Sequence, residues 1–213
     1  MAAQERRTLL LLRHAKSAWP DVPDHERPLA RRGQRDARII GHWLRAVSYI
    51  PDQVACSTAR RAAQTWRVAQ PALGPAPPAV FDDRVYEADA VQLLEMIRRT
   101  PEPVRTLLVV GHDPALPGLA LTLAAAAPGS VAGTGNQAVL AAADRMRAKF
   151  PTAAVAAFVF RGEWDQLAPG LARLACFVTP GELRTAADPG GKSRRSGSER
   201  SEKAGRHLRH GHR

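Results

Sequence analysis

The sequence predicts an α/β fold with a largely parallel central sheet. Short apolar runs, typical of buried strands, alternate with stretches of about ten to fifteen residues whose apolar side chains recur at helical spacing. The clearest strand, Arg105–Val110, is followed by Gly111-His112 and then by an apolar, alanine-rich helix over Leu116–Ala126. Polar clusters follow several strands at their carboxyl ends, which is where ligands bind in sheets of this kind.

The first half of the chain begins with a strand over Thr8–Leu12, a continuous apolar run that ends in polar residues. A helix is predicted over Arg35–Val47, because its large apolar side chains recur every three to four residues. A short strand, Gln53–Cys56, then leads into a helix over Arg60–Ala69. The polar pair between them, Ser57-Thr58, supplies two possible helix caps.

The second half of the chain continues this alternation. Ala79–Phe81 is predicted as a strand and Val91–Arg98 as a helix with its apolar side turned inward. After the strand over Arg105–Val110 and its helix, two late strands are predicted, Ala153–Phe160 and Ala172–Val178. A turn near Gly170 separates these last two strands.

The formal net charge of +11 is unevenly distributed along the 213 residues. From Ala186 onward, eight cationic side chains accompany three anionic ones, so this segment carries +5 and the remainder of the chain carries +6. The segment is rich in glycine, serine and charge, and cannot bury enough apolar surface to offset the entropy of ordering. We therefore expect a folded domain over residues 1–185 and a disordered basic tail over residues 186–213. Nucleic acid is expected to bind at most nonspecifically, through this tail.

Composition also excludes some classes of protein. Hydrophobic residues make up 45% of the chain, which is enough for a core, but no apolar run reaches the roughly 18 residues of a membrane span. The two cysteines, Cys56 and Cys176, do not suggest a disulfide framework, and Cys56 is interpreted as a small buried hydrophobe. We expect a cytoplasmic monomer that does not bind membranes.

Three polar segments are expected to meet at one edge of the sheet. Arg13-His14 ends the first strand, Ser57–Arg61 follows the second, and Gly111-His112 ends the clearest strand. The carboxyl ends of parallel strands lie together, so these segments converge on the predicted ligand edge. The two other histidines of the domain are interpreted differently: His25 as a loop residue that could contact substrate at the rim, and His42 as a helix-surface residue.

Two histidines with two arginines suit phosphoryl transfer. A neutral imidazole is a competent nucleophile for phosphorus and forms a phosphohistidine. Guanidinium groups bind the charged phosphoryl oxygens, so that catalysis consists mainly of positioning and preorganised positive charge. Neighbouring cations also lower the pKa of a histidine, which keeps the nucleophile neutral.

The segment Leu10-Leu-Leu-Arg13-His14-Ala15-Lys16-Ser17 resembles the Arg-His-Gly signature of the histidine phosphatase superfamily, and most closely its SixA-type phosphohistidine phosphatase branch. Ala15 replaces the usual glycine. The resemblance covers about residues 8 to 184 in ordered blocks. The further blocks are Arg27-Pro28-Leu29, Arg32-Gly33, Asp36-Ala37, Cys56-Ser57-Thr58-Ala59-Arg60-Arg61-Ala62-Ala63-Gln64-Thr65-Trp66, Val85-Tyr86-Glu87-Ala88, Val110-Gly111-His112-Asp113-Pro114 and Phe177-Val178-Thr179-Pro180.

The resemblance implies a phosphoglycerate-mutase-like three-layer sandwich with no metal or other cofactor. His14 is implied as the nucleophile that becomes phosphorylated, and Arg13, Arg61 and His112 as the rest of the phosphate pocket. The block Cys56–Trp66 resembles the family's Ser-x-x-x-Arg-Ala-x-Gln-Thr pattern, and its Arg-Ala-x-Gln-Thr part selects Arg61 over its neighbour Arg60, which we interpret as a helix-surface residue.

The resemblance leaves two roles open. Ser17 is expected either to contact phosphate or to cap the following turn. Glu87 is expected either to donate a proton to the leaving group or to play a structural or rim role. An imidazole leaving group departs readily, so an acid contributes less with phosphohistidine than with a phosphoester.

Three functions follow from these observations. The first is a metal-independent phosphatase acting on protein phosphohistidine. The resemblance favours it, because the superfamily's mutase members carry a longer insertion between the second arginine block and the final histidine, whereas the short stretch from Arg61 to His112 leaves few residues to build a lid over a small substrate. The second uses the same site on small phosphoesters or sugar phosphates. The third is a noncatalytic binder of anionic polymers that uses the basic tail.

Overall fold

A six-stranded sheet runs through the centre of the computed structural model, which describes residues 5–125 and 137–187. The strands are β1 (Arg6–Arg13), β2 (Gln53–Ser57), β3 (Ala79–Asp82), β4 (Thr106–Gly111), β5 (Val155–Arg161) and β6 (Arg173–Val178). The helices are α1 (Arg31–Ala46), α2 (Arg60–Leu73), α3 (Asp83–Glu87), α4 (Ala90–Arg98), α5 (Ala115–Ala124), α6 (Gln137–Ala148) and α7 (Pro180–Ala187), with short 3-10 turns at Asp24–Glu26 and Trp164–Gln166.

The strand order is β3-β2-β4-β1-β5-β6, and the sheet is mostly parallel, as predicted. Strands β3, β2, β4 and β1 pair in parallel, whereas β5 is antiparallel to both of its neighbours. In the register of β1 with β4, Arg13 lies opposite Gly111, and β2 places Cys56 opposite Val110. The carboxyl ends of three parallel strands therefore finish side by side.

Two apolar cores form the outer interfaces of a three-layer sandwich. Along β1, Leu9 and Leu11 pack into the core beneath α4, α5 and α6, while Leu10 and Leu12 pack into the core beneath α1 and α2. All four leucines are fully buried. This alternation is the physical reason why β1 is apolar throughout, because a strand covered on both faces has no polar side.

The structure extends and corrects the predicted elements. Helix α1 begins at Arg31, four residues before the predicted start, and α3, α6 and α7 were not predicted. The prediction that Ser57-Thr58 caps α2 is wrong, because the N-cap is Ala59 and no side chain caps that end. Of the predicted tail, only Ala186 and Ala187, at the end of α7, are among the described residues. Within residues 5–125 and 137–187, no helix is long and apolar enough to cross a membrane.

Helices α1 and α2 pack together at unusually close range. A Cβ atom on Gly41 would overlap the backbone carbonyl oxygen of Ala69 and would lie 2.9 Å from the Cβ of Ala72. Glycine at this position therefore sets the distance between the two helices. The contact matters for function because α2 also carries Arg61.

We expect Gly41→Ala to lower the free energy of unfolding by about 1–3 kcal/mol, the usual range for overpacking a close contact. The same exchange on an open helix face would instead raise stability by up to about 1 kcal/mol. Urea denaturation would measure the change, with Arg38→Ala on the exposed side of α1 as the control. A Gly41→Ala protein as stable as the parent would contradict the close packing of α1 on α2.

Candidate active site

The structure brings together the three segments that the sequence analysis placed at one edge. His14 follows β1, His112 follows β4, and Arg61 lies in the first turn of α2 after β2. The backbone N–H of His14 donates a hydrogen bond of 2.9 Å to the carbonyl oxygen of Gly111, which joins the two strand ends. The centroids of the His14 and His112 rings are 5.1 Å apart. The predicted convergence is confirmed.

His14 is a buried imidazole in a fixed orientation. Its Nδ1 lies 2.8 Å from the carbonyl oxygen of Ala15, and because a carbonyl can only accept, Nδ1 carries the proton. Burial is the main cause that lowers the pKa of His14, to about 4, and Arg61, Arg13 and Arg27 lower it further. His14 is therefore neutral at physiological pH, and the unprotonated Nε2 is available as a nucleophile.

Besides burial, three guanidinium groups lower the pKa of His14, and each is held by hydrogen bonds or ion pairs to oxygen atoms. Arg13 Nη1 donates to the carbonyl oxygen of Phe150 at 2.6 Å and pairs with Asp113 at 2.9 Å. Arg61 and Arg27 are both held by one loop residue, Asp24. Sequence reasoning identified Arg13 and Arg61 but gave Arg27 no role, although the Arg27-Pro28-Leu29 block is part of the family pattern.

Asp24 is the carboxylate that sequence reasoning missed. Its Oδ1 accepts a hydrogen bond from Arg27 at 2.7 Å, and its Oδ2 accepts one from the hydroxyl of Tyr86 at 2.9 Å. Arg61 forms an ion pair with Oδ2 at 2.9 Å and donates to the backbone carbonyl oxygen of Asp24 at 2.6 Å. The hydrogen bond from Arg27 is the main cause that lowers the pKa of Asp24, to about 2. A half-exposed carboxylate that is ionised at neutral pH thus lies beside the arginines. A short Asp-His-Glu turn gives no periodic signal that would have revealed it.

His112 is held by Ser57 and Tyr86. Its Nε2 lies 2.7 Å from the hydroxyl oxygen of Ser57, and the Tyr86 ring meets the imidazole edge-on at 5.3 Å between centroids. Burial is the main cause that lowers the pKa of His112, to about 3, and the neighbouring His14 and Arg61 add to the effect. The site therefore combines two neutral imidazoles with three cations.

Comparison with known proteins identifies the family. Residues 9–106 match the sequence profile of the Histidine phosphatase superfamily (branch 1). An uncharacterised protein of Mycobacterium tuberculosis (strain H37Rv) is 44% identical over 170 residues, which cover 79% of this chain and 99% of the relative. The chain belongs to the histidine phosphatase superfamily.

Solved structures place this histidine phosphatase in the SixA-type branch. A protein assigned as the phosphohistidine phosphatase SixA of Nakamurella multipartitia is 31% identical, with a TM-score of 0.69, covering 84% of this chain and 98% of that one. A protein of Agrobacterium tumefaciens with the same assignment is 28% identical, with a TM-score of 0.62, covering 82% of this chain and 99% of that one. The family and these neighbours support phosphatase activity.

The Arg-Ala-x-Gln-Thr block of this histidine phosphatase holds the nucleophile loop against α2. Thr65 accepts a hydrogen bond of 2.9 Å from the backbone N–H of Ala15 and donates one of 2.6 Å to the carbonyl oxygen of Arg61. Gln64 accepts a hydrogen bond of 2.7 Å from the backbone N–H of Leu29. The block therefore supplies Arg61 and also fixes the backbone on which His14 lies.

The remaining predicted site residues have different surroundings. Ser17 is buried, and its hydroxyl oxygen accepts a hydrogen bond from Arg27 at 2.7 Å, so it positions an arginine. A contact from Ser17 to phosphate stays a prediction. The Glu87 side chain is exposed and forms no hydrogen bond or ion pair with any described residue, so its role as proton donor stays a prediction. His25 contacts Thr58 at 2.9 Å and Tyr86 edge-on, at the rim of the site.

Three further interpretations concern residues outside the pocket. His42 and Arg60 are exposed on helices α1 and α2, as expected. Cys56 is fully buried, and burial raises the pKa of its thiol to about 12, which agrees with its interpretation as a small hydrophobe. Within residues 5–125 and 137–187, no three His, Cys, Asp or Glu side chains are grouped so as to hold a metal ion.

We expect this histidine phosphatase to lose stability as the pH falls below neutrality. Unfolded histidine binds a proton near pH 6.5, whereas folded His14 does so only near pH 4. The unfolded state therefore binds more protons between these values, and about 3 kcal/mol of stability from His14 is present above pH 6.5 and is lost as the pH falls toward 4.

Urea denaturation between pH 7 and pH 4 would measure this dependence. His14→Asn should give a shallower loss of stability with falling pH, and the exposed-site control His42→Asn should keep the slope of the parent protein. Equal slopes for His14→Asn and the parent would show that folded His14 titrates normally.

Proposed function

We propose that this protein is a metal-independent phosphatase that hydrolyses phosphohistidine on protein substrates through a phosphorylated His14. The observation that carries the proposal is the neutral, oriented imidazole of His14. Arg13, Arg27 and Arg61 together help to lower its pKa. A phosphoryl group needs a nucleophile and positive charge around its oxygens, and these residues supply both.

The first step transfers the phosphoryl group to the enzyme. His14 Nε2 attacks phosphorus, the bond from phosphorus to the substrate imidazole nitrogen breaks, and that nitrogen leaves with the bonding electron pair. The three guanidiniums hold the phosphoryl oxygens through the transition state. They supply the charge compensation that a metal ion provides in other phosphoryl-transfer sites.

The second step regenerates the enzyme. Water attacks the phosphorus of phosphorylated His14, inorganic phosphate leaves, and His14 Nε2 recovers its electron pair. The hydrogen bond from Nδ1 to the carbonyl of Ala15 keeps the ring in one orientation throughout. Glu87 is proposed as the proton donor where the leaving group is an alcohol, since imidazole leaves readily and needs less acid catalysis.

The form of the site supports a protein substrate. The stretch from Arg61 to His112 is used for α2, β3, α4 and β4 of the sandwich, and only the five-residue α3 is left to reach the site. Tyr86 on α3 contacts His112, while Asp24 at the rim is half-exposed. Because only α3 of this stretch reaches the site, little chain is left to cover it, and a phosphorylated side chain on a protein surface can approach it. The same fold also occurs in a mycobacterial glucosyl-3-phosphoglycerate phosphatase, at 13% identity and a TM-score of 0.54. The fold alone therefore does not determine the substrate, which must be argued from the site.

We expect His14→Ala to abolish turnover and Arg61→Ala to lower kcat/KM by about 10²–10³-fold, the loss typical of removing one preorganised charge contact. Steady-state hydrolysis of para-nitrophenyl phosphate and of a phosphohistidine protein, with chelator present, would measure both effects. Arg60→Ala is the matched control, because its exposed guanidinium is adjacent in sequence.

Turnover by His14→Ala close to that of the parent would refute the covalent mechanism. Efficient hydrolysis of small phosphate esters, with none of a phosphohistidine protein, would support the alternative of a small-molecule phosphatase. Salt-sensitive binding of polyanions that survives His14→Ala and is lost on removing residues 188–213 would support the noncatalytic alternative.

A further inference from the structure

Trp19 lies in the loop between β1 and α1, two residues after Ser17. It is 77% exposed, more than any other large hydrophobic residue in the described part of the chain, and Val22 of the same loop is 39% exposed. An indole side chain is costly to leave in water, and tryptophan is enriched among the residues that dominate protein–protein binding.

The indole ring is nevertheless held in place. The Cζ atom of Arg27 lies 3.2 Å from the centroid of the Trp19 ring, a cation–π contact. The guanidinium of Arg27 is itself fixed by the carbonyl oxygen of Ala18, by Asp24 and by Ser17. A ring that is already ordered loses little entropy when a partner covers it, which favours its use as an anchor.

Arg27 also connects Trp19 to the candidate active site. It is one of the three cations that lower the pKa of His14, and it shares Asp24 with Arg61. The indole therefore lies at the rim of the pocket. A small phosphorylated molecule bound among the arginines would not need to cover Trp19, whereas a folded protein that inserts a phosphorylated side chain would.

The charge of the loop indicates the chemistry of the partner. Asp21 and Glu26 are exposed on either side of Asp24, and neither has an ion-pair partner among the described residues. The rim around Trp19 therefore offers an exposed indole and two unpaired carboxylates, with one exposed cation, Lys16, on the same loop. The two carboxylates match a protein surface with an apolar patch bordered by lysine or arginine.

We propose that Trp19 is a docking residue that binds the protein surface around the phosphorylated histidine and so selects protein-borne phosphohistidine over the free phosphoamino acid. This inference rests on the proposed function. It adds that the preference for protein substrates depends on a contact outside the catalytic pocket, made by an apolar, basic-bordered surface of the partner.

The test compares two substrates that have the same reacting bond. One is a histidine-phosphotransfer domain phosphorylated with phosphoramidate, and the other is free phosphohistidine. We expect the parent to prefer the protein substrate by at least about tenfold in kcat/KM. We expect Trp19→Ala to lower the ratio of the two kcat/KM values by about 10- to 30-fold, mainly through KM, as for the loss of a binding hot spot.

Two variants complete the experiment. Trp19→Phe keeps an aromatic ring over Arg27 and should retain most of the preference. Leu171→Ala is the matched control, because Leu171 is also a large exposed hydrophobic residue, at 60%. It precedes β6, which runs parallel to β1, whereas Trp19 follows β1, so the two residues lie at opposite edges of the sheet. Leu171→Ala should leave the ratio within about twofold of the parent value.

The outcomes separate the docking proposal from the proposed function. If Trp19→Ala lowers both activities equally, or neither, or if the parent shows no preference for the protein, docking by Trp19 is overturned while phosphohistidine hydrolysis stands. If the parent hydrolyses phosphate esters but phosphohistidine in neither form, the proposed function fails and the docking proposal fails with it.

Discussion

A neutral imidazole surrounded by guanidinium groups is the arrangement on which the rest of the site depends. Burial and neighbouring cations lower the pKa of His14 to about 4, so the ring keeps a free electron pair where a solvated histidine would be partly protonated. Two carboxylates, Asp24 and Asp113, pair with the arginines and reduce the repulsion among the three cations. The site therefore remains cationic enough to receive a phosphoryl group without an excess of unpaired charge.

The scaffold serves this arrangement through a few specific contacts. The parallel register of β1 and β4 places His14 beside His112, and Thr65 fixes the nucleophile loop to α2. Arg27 has two roles, because it belongs to the cationic group and also orders Trp19 at the rim. One guanidinium thus links the electrostatics of the pocket to the surface on which we propose that a protein substrate docks.

Sequence reasoning recovered the parts of the molecule that have a strong local signal. Strands β1 and β4 were predicted to within two residues at each end, because a strand buried on both faces is apolar throughout. The five-residue α3 is too short to show a period, and α6 buries chiefly Ala142 and Met146, so its apolar face is weak. His14 and His112 were identified because strand ends mark the ligand edge. Asp24 was missed because its pairing with Arg61 spans 37 residues of sequence and leaves no local pattern.

The central claim is that the phosphoryl group passes through His14, and trapping the phosphoenzyme tests it most directly. The protein would be mixed with phosphoramidate that contains radioactive phosphorus and quenched in alkali. It would then be digested, and the labelled peptide would be mapped. We predict one label, on His14, that is stable in alkali and labile in acid, absent from His14→Ala and retained in Arg60→Ala. A label on another residue, or full turnover with no label on His14, would contradict it.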